Sequence, residues 1–364
     1  MNSKILLLRE KIKWMGDHSG YDRLNQSLFK FIHNPDYITI NRIGGITAGI
    51  LHKTLNAILG RANTNFPNYN ESLSFSELRL YLKLLSNKYD LIHLNYLERS
   101  LGFMDLLKYH KHTKIIATTH QTPEWWKKIE NTEQLLKNID SLIALSVEQK
   151  SYFEKYIPGR VFLIKHGIDT GFFRPAPDSV ISSRLNNPRI VFCGIWQRDL
   201  DTLTSVITKL IHEKPEIQYD LVISNHDNQK RDHRLDVIEN YKQVSFHSGL
   251  SDRELLDIYQ KACLLFLPIN GATANNALLE SISCGLPVIS NDIAGIRDYT
   301  NESFAILFKR GDIEGFSSSI SALLENPSRL ELLSRSAAEY ALNNLSWDII
   351  AKKTVELYDS VLGK

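Results

Sequence analysis

Short apolar runs separated by helix-length stretches recur along the whole chain. This alternation narrows the available folds more than any other feature. The first series is KILLL (4–8), YITI (37–40), LIHL (91–94), KIIATT (114–119), SLIALS (141–146) and VFLIKH (161–166). A second series follows: RIVFCG (189–194), DLVIS (220–224), VSFHS (244–248), LLFLP (264–268) and PVISN (287–291). Parallel strands need a long crossover, and most neighbouring runs leave room for a helix, so doubly wound α/β sheets are predicted. Two series in 364 residues imply two similar lobes, since single cores rarely grow so large. The seam is expected in GFFRPAPDSVISSRLNNPRI (171–190), which has three prolines and no clear period.

Local signals agree with this layout. Capping boxes are expected at Ser146 with Gln149 and at Ser251 with Glu254, and Leu255, Leu256, Tyr259 and Ala262 follow at helical spacing. A composition of 43% hydrophobic and 23% charged residues is that of an ordinary globular chain. Cys193, Cys263 and Cys284 lie in or beside apolar runs and form no CxxC pair. That argues against disulfides or zinc and for buried thiols in a reducing compartment. No run approaches the roughly 18 apolar residues of a membrane span. The start, Met1-Asn2-Ser3-Lys4 before ILLL, is not a secretory leader, so a cytoplasmic location is expected. Net charge is +2, yet residues 1–170 hold 23 Lys+Arg against 16 Asp+Glu, while the rest holds 20 against 25. Such asymmetry fits an anionic partner, such as a membrane surface, or equally a plain solvated surface. No nucleic-acid partner is expected.

Several residues at strand ends could carry chemistry. The first strand runs into MGDHSGY, where Gly16 and Gly20 flank a polar loop ahead of a helix near Asp22. Strand C-termini are where open α/β sheets bind ligands, but GxGxxG is absent, which weakens a nicotinamide reading. In TTHQTPEWW, His120 sits just past a strand and can act as acid, base or donor, or serve structure alone. His93, inside LIHL, reads as buried and structural. Arg198 in GIWQRDLDT can meet phosphate oxygens or simply be solvated. Asp199-x-Asp201 resembles a carboxylate pair for manganese, but Asp201 suits a helix N-cap better, and no metal is expected. NHDNQKRDHR (225–234) mixes histidines with Lys230, Arg231 and Arg234, which would repel a cation, and reads as a surface loop.

The stretch LLFLPINGATANNALLESISCGLPVIS (264–290) is the most informative. A strand stops at Pro268, the small-residue loop can approach a ligand, and a helix begins near Asn275. Gly285 stands where a helix C′ residue belongs. First-turn amides of such a helix form an anion site. Glu280, one turn beyond Asn276, is ill suited to phosphate. It is well suited to accept hydrogen bonds from neutral hydroxyls such as a ribose diol, unless it is merely exposed.

In these segments the sequence resembles the family-four retaining glycosyltransferases of GT-B architecture. The resemblance rests on HGIDTGFFRP and LLESISCGLPVI, supported by YDLIHLNY, KIIATTHQTP, NIDSLIALSVEQKSYF, GLSDRELLDIYQKACLLFLP and LSWDIIAKKTVELYDSVL in the same order. It implies two Rossmann-like domains facing a cleft: an acceptor domain over 1–170 and a nucleotide-sugar domain over 171–345. Residues 346–364 would return to the first domain as a helix. Carried over by position, Glu280 would bind the donor ribose, Arg198 the diphosphate, and His120 would lie beside the transferred sugar. Gly16 and Gly20 would bring their loop to the diphosphate, and Ala274, Asn275 and Asn276 would line the donor site. Where the family has an earlier glutamate this chain has Ala272, and Ile195 replaces a usual arginine. The implied reaction moves a sugar from a nucleotide-diphosphate donor to a hydroxyl acceptor (glycan, lipid-linked or small molecule), with no cofactor. The alternatives are a GT-B phosphorylase or epimerase, and a non-catalytic nucleotide-sugar-binding partner protein.

Overall fold

The computed structural model describes residues 3–10, 16–40, 46–58, 70–100, 112–177, 183–223 and 232–364. Among these the chain forms two compact units. The first comprises residues up to 13, Tyr21–His166 and Asp348–Lys364; the second comprises Gly167–Trp347 together with the segment ending at Gly20.

The first unit is built on a six-stranded parallel sheet: β1 (Ile5–Glu10), β2 (Asp36–Ile40), β3 (Leu91–Leu94), β4 (Lys114–Thr118), β5 (Ser141–Ala144) and β6 (Val161–Leu163), in the order β2-β1-β3-β4-β5-β6. The second has β7 (Arg189–Cys193), β8 (Gln218–Val222), β9 (Val244–His247), β10 (Leu264–Leu267), β11 (Val288–Asn291) and β12 (Ala305–Phe308), in the order β12-β11-β10-β7-β8-β9. The expected doubly wound α/β architecture is therefore present.

Sheets covered on both faces need strands that are apolar throughout, and the sequence supplies them. In the second sheet Val191, Cys193, Leu265 and Leu267 face one core, while Ile190, Phe192, Leu264 and Phe266 face another. The helix Leu200–Glu213 packs Leu203, Val206, Ile207 and Leu210 onto the latter, which is the i, i+3, i+4, i+7 stripe of an amphipathic helix. All three cysteines are buried and unpaired.

Some details differ from the sequence reading. Strand β12 was not among the expected runs, because its four residues are short and only half-buried beyond Ala305. The sixth run ends at Leu163 rather than 166. The helix cap in DLDT is Asp199, which accepts from the Thr202 N–H (3.2 Å) and hydroxyl (2.9 Å); Asp201 lies in the first turn instead. The second unit begins at Gly167, just before the expected boundary, and residues 178–182 of the expected seam lie outside the described residues. So does most of NHDNQKRDHR, its residues 225–231. The loop ending at Gly20 clusters with the second unit although it follows β1 of the first.

Within the first unit the C-terminal segment is tied down. The Tyr358 hydroxyl lies 2.5 Å from His93 Nδ1, whose Nε2 lies 2.8 Å from Thr118 Oγ1. His93 is fully buried, and burial lowers its pKa to about 3, so it is a neutral structural bridge.

Candidate active site

Ligands in open α/β sheets collect at the strand C-termini where the winding direction reverses. In the second sheet that point lies between β7 and β10. The loops after these strands run side by side: the Asp199 N–H donates to the Pro268 carbonyl (3.0 Å), and the Asn270 N–H to the Gln197 carbonyl (2.7 Å).

From this point rises the helix Asn276–Ser283. Asn275 caps it, its side-chain oxygen accepting from the Leu278 N–H at 3.2 Å. A Schellman pair closes the other end, with Gly285 N–H to the Ile282 carbonyl (3.0 Å) and Leu286 N–H to the Ser281 carbonyl (2.9 Å). Gly285 adopts φ +74°, the left-handed conformation this ending requires. Every residue from Ala277 to Ser283 is buried, Glu280 included at 4% exposure. An exposed surface glutamate is therefore excluded.

A buried carboxylate must be hydrogen-bonded or neutralised. Glu280 Oε1 accepts from the Ser19 hydroxyl at 2.5 Å, and Oε2 from the Tyr259 hydroxyl at 2.9 Å. Burial pushes its carboxyl above the ordinary range, and these two donors pull it back. Both partners are hydroxyls, the chemistry a ribose diol would present. Neither was singled out from sequence as a partner, although the capping box at Ser251 sets the helix that carries Tyr259.

The loop holding Ser19 is clasped at three further points. The Asp252 carboxylate accepts from the backbone N–H groups of Asp17 (2.8 Å) and His18 (3.0 Å). Gly16 has φ +68°, and a Cβ there would stand 1.8 Å from Asp252 Oδ1, so only glycine fits. His18 Nδ1 lies 2.7 Å from Asp169 Oδ2, and its ring stacks on Phe172 at 3.7 Å. Gly20 also turns through positive φ, at +84°. Asp169 and Phe172 come from the HGIDTGFFRP motif, which here serves to hold this loop.

Arg198 is half-buried, and its acceptors are uncharged: the carbonyls of Cys193 (2.8 Å) and Trp196 (2.9 Å), and the Asn275 side-chain oxygen (3.5 Å). Burial lowers its pKa to about 10, which leaves it cationic at neutral pH. A guanidinium that, among the described residues, is satisfied only by neutral groups beside a helix N-terminus is a ready anion partner. Asn276 lies in the first turn, partly exposed, and Ala274 packs against the apolar cluster with Ala272.

In the first sheet the winding reverses between β1 and β3. There Tyr21 and Tyr96 stack at 5.1 Å, and the His120 ring tilts against each at 4.6 Å. His120 Nε2 lies 2.9 Å from the Asn95 carbonyl, which places the neutral ring's proton on Nε2. Desolvation lowers its pKa to about 3, reinforced by the nearby His166. Glu98, which the sequence reading missed, lies beneath this turn. Its signal was weak: one carboxylate between apolar Leu97 and Arg99.

Among the described residues no group of three or more His, Cys, Asp or Glu is arranged to hold a metal ion. Asp201 instead meets Arg234 at 3.1 Å.

Comparison with known structures first defines the class. Sucrose-phosphate synthase from Thermosynechococcus elongatus superposes with a TM-score of 0.73 at 17% identity, covering 99% of both chains. Anabaena Alr3699/HepE in complex with UDP-glucose gives 0.71 at 13%, covering 99% of this chain and 100% of that one. The fold is GT-B. Residues 48–172 match the model of Glycosyltransferase Family 4, and 187–326 that of Glycosyl transferases group 1. The chain belongs to these glycosyltransferases and is a transferase enzyme. It is 26% identical over 316 residues to a D-inositol 3-phosphate glycosyltransferase of Thermobispora bispora, an alignment spanning 76% of this chain and 72% of that one. Against two further proteins of that name the match spans only 57% and 56% of their length.

Proposed function

We propose that this enzyme moves a sugar from a nucleoside-diphosphate sugar to a hydroxyl acceptor with retention at the anomeric carbon. Glu280 carries the reading. A carboxylate buried in an apolar helix and partnered by two hydroxyls is built to recognise neutral hydroxyl donors, and a ribose supplies two. Arg198, with the first-turn amides of the helix Asn276–Ser283, meets the diphosphate without a divalent ion. The Gly16–Gly20 loop and the segment Ala274–Asn276 complete the donor site. His120, held neutral, serves the transferred sugar as a hydrogen-bonding group, while the protein positions donor and acceptor.

Uridine nucleotides are the first donors to try, since HepE is described with UDP-glucose. The acceptor is anionic or sits at an anionic surface. The relatives are named for D-inositol 3-phosphate, and residues 1–170 hold 23 basic against 16 acidic groups. Contact with an anionic membrane is a further expectation; among the described residues no helix is long and apolar enough to cross one.

The test is thermal stabilisation by UDP, GDP, ADP and their sugars, because a ligand of the folded state raises its apparent stability. One nucleotide should raise Tm well beyond the others, and turnover with its sugar should survive EDTA. No stabilisation by any nucleotide, or a saturable manganese requirement, would overturn the reading.

A further inference from the structure

The turn carrying His120 is gripped from two sides. On one side lies Glu98, in the short 3-10 turn Leu97–Arg99 that follows β3, 1% exposed. Its Oε1 alone accepts four hydrogen bonds: from the Thr119 hydroxyl (2.6 Å), the backbone N–H groups of His120 (2.9 Å) and Gln121 (2.8 Å), and the Trp126 indole N–H (3.0 Å). Its Oε2 is buried and has no hydrogen-bond partner among the described residues. On the other side the Gln149 amide donates to the carbonyls of Thr119 (3.3 Å) and Gln121 (2.8 Å), while its oxygen closes the capping box at Ser146.

This arrangement is lopsided for a structural ion. A carboxylate buried without a cation costs free energy, and the cost is reduced most when its donors spread over both oxygens. Here all four donors converge on one oxygen, and two of them are consecutive main-chain N–H groups. Backbone donors cannot rotate away as hydroxyls can, so the position of Oε1 fixes the two peptide planes that flank the His120 Cα. Fixing those planes fixes the Cα–Cβ direction of His120, and hence its reach to the Asn95 carbonyl and its seat against Tyr21 and Tyr96.

We propose that Glu98 is a positioning residue for His120, acting through the backbone of residues 119–121, with Gln149 as its counterpart on the carbonyl side. The inference rests on the reading of His120 in sugar transfer, and its consequence is that the two side chains act as one unit in turnover.

The test is a double-mutant cycle on the full chain: wild type, Glu98→Gln, His120→Ala and the double variant, assayed for kcat, donor KM and donor affinity. The His120 imidazole NMR signals, assigned by their loss in His120→Ala, are followed alongside. Glu98→Gln should shift those signals and lower kcat about tenfold or more, since small misplacements of a reacting group cost up to roughly 10²-fold. Donor KM should stay within about twofold. In the His120→Ala background the same change should alter kcat less than about twofold, because coupled groups are non-additive. An equal drop in both backgrounds, or unshifted His120 signals, would overturn the proposal. If the signals move but His120→Ala turns over normally, positioning stands and the catalytic reading of His120 falls. Should Glu98→Gln prove too unstable to purify, Glu98→Asp keeps the charge, withdraws Oε1 by one methylene, and goes through the same cycle with the same expectations.

Discussion

Glu98 in the first unit and Glu280 in the second are both buried near the reversal point of their sheet, and the two are satisfied in opposite ways. Glu280 shares two hydroxyl donors between its two oxygens; Glu98 draws four donors, two of them backbone N–H groups, onto one. Hydroxyl partners rotate and can be replaced by the hydroxyls of a ligand at little cost. Backbone partners can be released only by moving the chain. The second unit's carboxylate therefore suits exchange with a ligand, and the first unit's suits holding a neighbour still. The Gly16–Gly20 loop extends the contrast. There the chain itself supplies a hydroxyl to Glu280, from Ser19, and a carboxylate to two loop N–H groups, from Asp252.

The largest expected effect lies in the first unit. His120→Ala should lower turnover on the order of 10²-fold or more while leaving donor affinity nearly intact. Near wild-type turnover with the true acceptor would return His120 to a structural role and remove one side of the contrast. The same variant carries a pH signature. His93 and His120, with pKa values lowered to about 3, compare with about 6.5 in the unfolded chain. Between these values the unfolded chain binds more protons, so their stabilisation is complete above about pH 6.5 and is lost as pH falls toward 3. The raised carboxyls of Glu98 and Glu280 have the opposite sign: their burial costs more as pH rises past the unfolded carboxyl value. Removing His120 should flatten the fall in unfolding free energy between pH 6.5 and 4.5. An unchanged slope in denaturant titrations would show that its ring protonates as readily in the fold as out of it.

Next in size is Glu280→Gln, which should weaken nucleotide-sugar binding about 10- to 150-fold, the equivalent of losing roughly 1.5–3 kcal/mol of charge-assisted hydrogen bonding. Unchanged affinity in calorimetry would make Glu280 a second fixed carboxylate like Glu98. A smaller effect of opposite sign is expected from Asp252→Ala. Freeing the Asp17 and His18 N–H groups removes an internal competitor for an anion, so nucleotide affinity should rise about 2- to 12-fold, a hydrogen bond of roughly 0.5–1.5 kcal/mol. Weaker binding would mean that Asp252 holds the loop in its binding form. Smallest is Asn276→Ala, expected to alter the ratio of sugar-nucleotide to nucleotide affinity while bare-nucleotide affinity stays within about threefold. A constant ratio would leave Asn276 a plain helix residue. Asn275 is a poorer probe, because its side-chain oxygen already caps the helix.

Sequence alone determined the elements that depend on near neighbours. Apolar runs gave eleven of the twelve strands, because a strand covered on both faces must be apolar throughout. The capping boxes at Ser146 and Ser251 and the ending at Gly285 were legible because each is written in a few consecutive residues. Arg198, His120 and Glu280 were visible as polar groups at strand ends or in an apolar helix. The partners of those residues were decided only by tertiary structure. Ser19 meets Glu280 across 261 positions of sequence, and Asp252 meets the Asp17 and His18 amides across 235 and 234. Nothing in a local window reports such contacts, since a hydroxyl or carboxylate reads alike whether it faces water or a buried partner. Glu98 was missed for the same reason. Its four donors come from the turn after β4 and from the helix Pro123–Trp126, and only the winding of the sheet brings them onto one oxygen.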